Sequence, residues 1–176
     1  MPDEFLMGER LYLRALRAED ASGDWAQWFN DPEVCRFNNH HRFPGGAAAN
    51  LAYLDRLNAS RDTLALAIVW KDQERHIGNL ALQNIDWINR SAEFAIVIGN
   101  KAFWGLGVGR EAGALLVRHG LEELNLHRIH CGTSADNHGM RKLALALGMR
   151  EEGRRRQAIY KHGQFLDVIE FGLIRE

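Results

Sequence analysis

The stretch Phe103-Trp104-Gly105-Leu106-Gly107-Val108-Gly109-Arg110-Glu111-Ala112 places three alternating glycines between a strand-like apolar segment and a helix-like segment. Glycine can adopt positive φ and leaves room for a ligand to approach the main chain. The first N–H groups of the following helix have no partner within the helix and attract anions. The stretch therefore predicts a phosphate-binding loop, although an ordinary strand-to-helix turn accounts for the glycines alone equally well.

Two common phosphate-binding motifs do not fit this loop. A Walker A loop ends in Gly-Lys-Ser/Thr, whereas Gly109 is followed by Arg110 and Glu111. A dinucleotide fingerprint requires a glycine at the position of Arg110 and normally lies near the start of a domain. The loop must therefore be interpreted together with its neighbours.

The size and charge of the chain bound its class. Its 176 residues suffice for a single domain, 1–176, and 22 basic against 23 acidic side chains give a formal net charge of −1. Such a balance provides no global field for holding nucleic acid or an anionic membrane. We therefore expect neither as a partner.

The cysteines and the amino terminus point to a reducing compartment. Cys35 and Cys131 are too few for a disulfide framework. The segment Met1–Phe5 lacks the basic start of a signal peptide, and no apolar run approaches the roughly 20 residues of a membrane span. We expect a cytoplasmic protein.

Apolar periodicity predicts an α/β (α+β) domain with a mixed central sheet of about six or seven strands flanked by about four helices. Residues 92–98 form a nearly all-apolar run, which favours a strand buried on both faces. The predicted strands are 11–16, 64–70, 76–85, 92–98, 128–133, 149–160 and 164–174, and the predicted helices are 18–29, one containing 51–58, 111–124 and 136–147.

This order of elements resembles the GNAT superfamily of acetyl-CoA-dependent N-acetyltransferases. Residues 92–98 resemble the fourth strand of the family, and residues 104–109 fall on its Gln/Arg-x-x-Gly-x-Gly/Ala pyrophosphate loop. Residues 124–129 resemble the segment that enters the fifth strand, and Leu147-Gly148-Met149 resembles the Leu-Gly-Phe that ends the fourth helix. Glu152-Gly153-Arg154 and Asp167 fall where the subgroup related to ribosomal-protein N-terminal alanine acetyltransferases has Glu-Gly and Asp.

The resemblance implies a GNAT-like domain that uses acetyl-CoA as co-substrate and needs no metal. By analogy with the family, the pyrophosphate is expected on Leu106, Gly107, Val108, Gly109 and Arg110, and the thioester oxygen and pantetheine on Val97 and Ile98, where the strand splays from its neighbour. Asn137, at the start of the fourth helix, either contacts the cofactor or caps the helix.

Glu93 is the candidate catalytic base. Direct attack by an amine on a thioester requires a group that removes the amine proton. A carboxylate in so apolar a strand is expected to have its pKa raised toward neutrality. The competing interpretation is that Glu93 is the partner of a buried arginine or of a backbone donor.

Two positions depart from the family pattern. Trp104 stands where the loop usually carries Gln or Arg, which removes a side-chain donor but leaves the backbone N–H groups. Ala144 stands where many members carry the tyrosine that protonates the departing thiolate. Tyr160, Cys131, Ser134 or water could supply that proton instead. His127 and His130 lie three apart on a strand and project to opposite faces, so we predict no metal site.

The acceptor is expected to be a small-molecule amine or a protein N-terminus, with a slight preference for an amino sugar or a protein N-terminus. Residues 38–42 lie in the connection that borders the acceptor pocket in the family, and they either select the substrate or solvate a loop. They lack the acidic cluster that a polyamine would favour. A homodimer remains open, and Ala144 keeps a non-catalytic acyl-CoA-binding or regulatory module as the alternative function.

Overall fold

The computed structural model describes residues 3–176. Met1 and Pro2, which the predicted domain 1–176 and the segment Met1–Phe5 include, lie outside the described residues. The described chain forms one mixed sheet of eight strands in the order β1-β2-β3-β4-β5-β6-β8-β7. The strands are β1 (Leu6–Met7), β2 (Leu11–Ala15), β3 (Leu64–Trp70), β4 (Arg75–Asp86), β5 (Ser91–Ile98), β6 (Arg128–Ser134), β7 (Arg150–Lys161) and β8 (Gln164–Ile174).

Five α-helices cover the two faces of this sheet: α1 (Ala18–Ser22), α2 (Trp25–Trp28), α3 (Ala47–Ala59), α4 (Val108–Glu122) and α5 (His138–Ala146). Short 3₁₀ turns at Lys71–Gln73 and Lys101–Phe103 join β3 to β4 and follow β5. The α/β class is confirmed. The structure adds the two-residue β1 to the predicted strands and divides the predicted helix 18–29 in two at Gly23, whose backbone is extended.

Successive residues of each strand point to opposite faces of the sheet, and each face carries its own apolar core. Leu66 and Ile68 of β3 join the main core beneath α4 and α5, whereas Ala67 and Val69 point to the opposite face. On that opposite face, α1, α2 and α3 enclose a smaller core centred on Trp25, Trp28 and Leu54. The sheet is therefore the middle of three layers.

Strand β5 is the position at which the sheet opens. It pairs with β4 along most of its length, but its parallel pairing with β6 covers Ser91, Ala92 and Glu93 only. Beyond Glu93 the two parallel strands diverge, which leaves one edge of β5 without a strand partner among the described residues. The expected splay is present, and it begins three residues before Val97.

The expectation that β5 is buried on both faces was wrong. Ala92 and Phe94 lie in the main core at 0% and 2% exposure, whereas Glu93, Ala95 and Val97 are only half-buried. An apolar run of small side chains does not distinguish a core face from the wall of a cavity. The second face of β5 is such a wall.

Candidate active site

The glycine loop leads directly into α4. Gly105 and Gly107 adopt positive φ of 75° and 79°, and Gly107 is the residue that caps the helix beginning at Val108. Gly109 instead lies inside the first turn, where a Cβ atom would sit 3.4 Å from Leu143 of α5. The helix starts three residues before the predicted Glu111, so the N–H groups of its first turn border the loop.

Side chains anchor this loop from three directions. Trp104 donates its Nε1 proton to the carbonyl oxygen of Ile98 at 2.8 Å, which fixes the loop against the end of β5. Arg10 donates from Nη1 to the carbonyl oxygen of Leu106 at 2.8 Å. Glu111 in turn accepts from the backbone N and the Nε of Arg10 at 2.8 and 2.9 Å. The loop is therefore held in place by side-chain hydrogen bonds within the protein.

The electrostatics of Glu111 agree with this anchoring role. Burial by itself raises the pKa of Glu111, but the hydrogen bonds from Arg10 outweigh that effect and the net shift is downward. Arg10 was missed by the sequence interpretation, because it precedes Leu106 by 96 positions and lies in no recognisable motif. No local signal could have identified it.

The opening between β5 and β6 lies beside this loop. Val97 and Ile98 lie on the unpaired part of β5, and Asn137 lies just beyond β6, at the start of α5. The side chain of Asn137 accepts from the N–H of Met140 at 3.1 Å and donates to Thr133 Oγ1 at 3.0 Å. Its side chain therefore caps α5, which is the second of the two roles expected for it.

Glu93 lies where the two strands begin to diverge, on the same face of β5 as Ala95 and Val97. Its Oε2 accepts from Gln83 Nε2 at 3.2 Å and from Asn84 Nδ2 at 2.9 Å. The backbone of Asn84 is left-handed, with φ of 53°. Among residues 3–176, no arginine and no backbone donor bonds to the side chain of Glu93. Two neutral amides hold one carboxylate oxygen instead, and within residues 3–176 no donor bonds to Oε1.

A cavity of about 680 Å³ lies on this face, between the sheet, α2, α3 and the loop 38–45. Ala65, Ala81 and Ala95 form part of its floor, and aromatic side chains, including Trp25 and Tyr53, form its walls. Gln83, which bonds to Glu93, also lines it. Because Ala95 to Val97 line the cavity and also form the unpaired edge of β5, the cavity and the opening between the strands meet at one segment of chain.

The predicted acceptor loop, residues 38–42, lines the same cavity. The ring of His40 stacks on Phe29 with 3.8 Å between centroids. Lys161 of the β7–β8 hairpin donates to the carbonyl oxygens of Asn38 and His40 at 2.8 and 3.1 Å. Burial, and to a lesser degree the charge of Lys161, lowers the pKa of His40 and so favours the neutral form of its imidazole.

A buried polar network supports the cavity from below. Asp20 accepts from both terminal nitrogens of Arg14 at 2.7 and 2.8 Å, and His76 Nδ1 lies 3.4 Å from it. Burial raises the pKa of Asp20, but the hydrogen bonds from Arg14 and His76 outweigh it and leave the pKa well below its usual range. With its amide oriented to donate to His76 Nε2, Asn79 accepts from Trp25 Nε1 at 3.2 Å and joins this network to the cavity wall.

The candidate proton donors occupy unpromising positions. Ala144, which stands at the position of the usual acid and has no proton to donate, is fully buried in the main core. Burial raises the pKa of the Cys131 thiol to about 12, and its Sγ lies 3.6 Å from Met149 Sδ. Tyr160 is 48% exposed near the tip of the β7–β8 hairpin and does not line the main cavity. Ser134 is 1% exposed, and its hydroxyl has no hydrogen-bond partner among the described residues.

Residues 3–176 hold no group of three or more His, Cys, Asp or Glu side chains arranged to bind a metal ion. None of the helices between those residues is long and apolar enough to cross a membrane.

Comparison with known proteins gives this arrangement a family. Residues 10–150 match the acetyltransferase (GNAT) domain family. YdaF of Bacillus subtilis, whose assigned name proposes a ribosomal N-acetyltransferase, is 32% identical over 98 residues, which are 56% of this chain and 53% of YdaF. YoaA of Bacillus subtilis, named an uncharacterized N-acetyltransferase, is 25% identical over 95% of this chain and 94% of its own.

A solved structure has the same fold at lower identity. Spermidine N-acetyltransferase from Vibrio cholerae, crystallised with CoA and spermine, superposes with a TM-score of 0.86 at 22% identity over 94% of this chain and 95% of its own. The structural likeness supports the fold, and the family match extends over both the glycine loop and β5. The chain therefore belongs to the GNAT family of N-acetyltransferases.

Proposed function

We propose that this protein transfers the acetyl group of acetyl-CoA to a primary amine by direct attack. The observation that supports this most strongly is the meeting of the cavity and the strand opening at Ala95 to Val97. An amine in the cavity and a thioester in the opening would approach each other across one edge of β5. Such positioning replaces a collision between two free reactants with a reaction between bound neighbours.

The cofactor half of the site is proposed to bind through its backbone. Gly107 precedes a helix of fifteen residues. Its first N–H groups, at Val108 and Gly109, could donate hydrogen bonds to the oxygens of a pyrophosphate. Leu106 and Arg110 flank those groups. The unpaired edge of β5 at Val97 and Ile98 suits the thioester oxygen and the amides of pantetheine. Asn137 is proposed to border this opening. By capping α5, it would hold the start of that helix in position beside the cofactor.

Glu93 is proposed to remove the proton from the attacking amine. Gln83 and Asn84 hold Oε2, which leaves Oε1 to accept a proton directly or through one water molecule. Gln83 also lines the cavity, so the carboxylate lies close to the proposed path of the amine. The bonds from two neutral amides orient the carboxylate without neutralising its charge.

The departing thiolate is proposed to take its proton from water. Ala144 offers no acid, and the thiol of Cys131 is buried with its pKa raised to about 12. Direct attack itself needs no acyl-enzyme. As the nitrogen–carbon bond forms and the carbon–sulfur bond breaks, the amine proton passes to Glu93 and then to solvent.

The experiment that tests this proposal measures CoA release with a panel of amines. Acetyl-CoA alone should raise the midpoint of thermal unfolding, by the equivalent of about 2.7 kcal/mol at a hundredfold excess over Kd. An enzyme then releases CoA when a suitable amine is added. Stabilisation without CoA release from any amine would favour the non-catalytic acyl-CoA-binding module that Ala144 keeps open.

The acceptor class is proposed as a small-molecule amine or a protein N-terminus, with an amino sugar or a protein N-terminus favoured. YdaF is named as a ribosomal N-acetyltransferase, and the solved structure of the same fold is named as a spermidine N-acetyltransferase. The panel should therefore include glucosamine, a short peptide with a free N-terminus and spermidine.

A further inference from the structure

We propose that the acceptor is an amine that also carries an acidic group, which the cavity recognises with Arg42 and Arg56. This inference rests on the proposed function and narrows its substrate class. It excludes a polyamine as the preferred acceptor. Four observations on the cavity support it: its charge, the state of its arginines, an unused amide donor and its apolar floor.

The first observation is the charge of the lining. Among the described residues, the cavity is lined by no aspartate or glutamate, although the chain has 23 acidic side chains. Arg42 and Arg56 both line it. A polyamine carries several positive charges at neutral pH, and apart from the amine beside Glu93 they would be unpaired here, at a cost in desolvation and like-charge repulsion. A ligand with a negative group would instead pair its charge with these arginines.

The second observation is how these two arginines differ from the structural ones. Arg10, Arg14 and Arg128 each pair with a carboxylate within 3 Å. Within residues 3–176, Arg42 and Arg56 form no ion pair. Arg42 donates to the carbonyl oxygen of Tyr160 at 2.8 Å, and Arg56 lies over the ring of Tyr53 at 5.8 Å.

These two arginines are thus oriented by neutral partners and keep their charge available. A guanidinium binds carboxylate and phosphate through paired N–H groups, so it suits either acidic group. A smaller cavity of about 190 Å³ shares His41 and Arg42 with the main one and adds Lys161 and His162, which extends the basic rim.

The third observation is Asn50 of α3. This residue is 7% exposed and lines the cavity, and its Nδ2 has no hydrogen-bond partner among the described residues. A buried amide donor without a partner costs free energy, which an acceptor oxygen of a ligand would recover. The oxygen-rich end of an acidic amine supplies such an acceptor.

The fourth observation is the apolar body of the cavity. Trp25, Phe29 and Tyr53 surround a floor of alanines, so the part of the ligand between its amine and its acidic group is expected to be apolar or ring-shaped. The amine would lie toward Ala95 and Glu93, and the acidic group toward the rim.

The test compares matched amines that differ in one acidic group. Tryptophan against tryptamine tests a carboxylate, glucosamine 6-phosphate against glucosamine tests a phosphate, and spermidine tests a polycation. KM is expected to be about 10- to 100-fold lower for the acidic member of at least one pair, because a hydrogen bond to a charged group contributes about that much. The advantage should shrink as salt is raised. The pair that shows it identifies the acidic group.

Arg56→Gln and Arg42→Gln should remove most of this advantage, so that KM for the acidic member rises toward KM for the neutral member. Arg118→Gln, at an exposed position of α4 outside the cavity, is the matched control. Because Arg42 also holds the hairpin, Arg56→Gln is the cleaner variant. Stabilisation by acetyl-CoA checks that each variant is folded.

The outcomes separate this inference from the proposed function. Turnover of neutral amines or spermidine as efficient as that of acidic amines, unaffected by Arg56→Gln, overturns the inference and keeps the transferase. If no amine releases CoA, calorimetric titration of the same pairs into CoA-saturated protein decides the ligand class. Preferential binding of the acidic members would then support the cavity assignment while the proposed transfer fails.

Discussion

The two sides of the end of β5 use their side chains in opposite ways. On the glycine-loop side, Arg10, Trp104 and Glu111 all bond within the protein, and the groups proposed to bind the cofactor are backbone N–H groups at the start of α4. On the cavity side, Asn50 and Arg56 keep polar groups that no described residue satisfies by hydrogen bond or ion pair.

This difference indicates how one fold can keep a cofactor and change its acceptor. Binding through the backbone depends on loop conformation, so Trp104 in place of the usual Gln or Arg is expected to leave the proposed cradle intact. Recognition by side chains depends on the residues themselves, which come here from α3, the loop 38–45 and β3–β5. Substitutions on the two sides should therefore have separable effects.

The largest effect is expected where the two sides meet. Glu93→Gln should lower kcat by about 10²- to 10⁴-fold, because the amide cannot accept the amine proton. The Kd for acetyl-CoA, measured by calorimetry, should not change. The deficit should narrow at high pH, where more of the amine has already lost its proton.

Glu152→Gln is the control for this variant. Glu152 is a carboxylate of the same sheet that pairs with Arg128, away from the cavity. Its replacement should leave kcat close to the wild-type value. Equal kcat values for Glu93→Gln and the wild type would remove Glu93 from the role of base.

The second effect concerns the support of the cavity side. Asp20→Asn leaves Arg14 buried without a counter-charge, since both side chains are less than 10% exposed, and should reduce the free energy of unfolding by about 3 kcal/mol or more. Asp24→Asn breaks the half-exposed pair with Arg75 and should cost less than about 1 kcal/mol. Urea denaturation of both variants measures the difference.

The same aspartate predicts a pH dependence. The pKa of Asp20 in the folded protein is lowered from 3.8, so its contribution is fully present above about pH 4 and is lost as pH falls further. Wild-type stability should decline more steeply than that of Asp20→Asn below pH 4. Parallel declines in the two proteins would show that the Asp20 pair does not supply this stability.

The glycines of the loop provide the third test. Gly107→Ala forces a residue with a Cβ atom into φ of 79° and should cost about 1–2 kcal/mol of stability, with weaker acetyl-CoA binding. Gly109→Ala keeps helical backbone and places its Cβ toward Leu143 at an ordinary contact distance, so it should preserve both properties. Thermal unfolding with and without acetyl-CoA separates the two. If only Gly109→Ala lost acetyl-CoA binding, the first turn of α4 rather than the cap residue Gly107 would be the part of the loop on which binding depends.

The same contrast explains what could be predicted from the sequence. The order of strands and helices and the loop at 103–112 follow from local periodicity and glycine spacing, which do not require knowledge of distant residues. Arg10 as a loop anchor and the network of Arg14, Asp20 and His76 depend on contacts across the sheet. The cavity-facing side of β5 was wrongly predicted as core, because Ala95 and Val97 suit both environments.

The smallest effect is expected at the indole that joins the loop to the end of β5. Trp104→Phe keeps a ring but removes the hydrogen bond to the carbonyl oxygen of Ile98, which is worth about 0.5–1.5 kcal/mol. Trp87→Phe removes an equivalent bond, from Nε1 to the carbonyl oxygen of Arg61 at 3.1 Å, at a site remote from the loop. Both variants should lose similar stability, but only Trp104→Phe should raise the Kd for acetyl-CoA, by about two- to tenfold. An unchanged Kd would mean that Arg10 and Glu111 suffice to hold the cradle, and an equal rise in both variants would mean that the loop responds to global stability rather than to its own anchor.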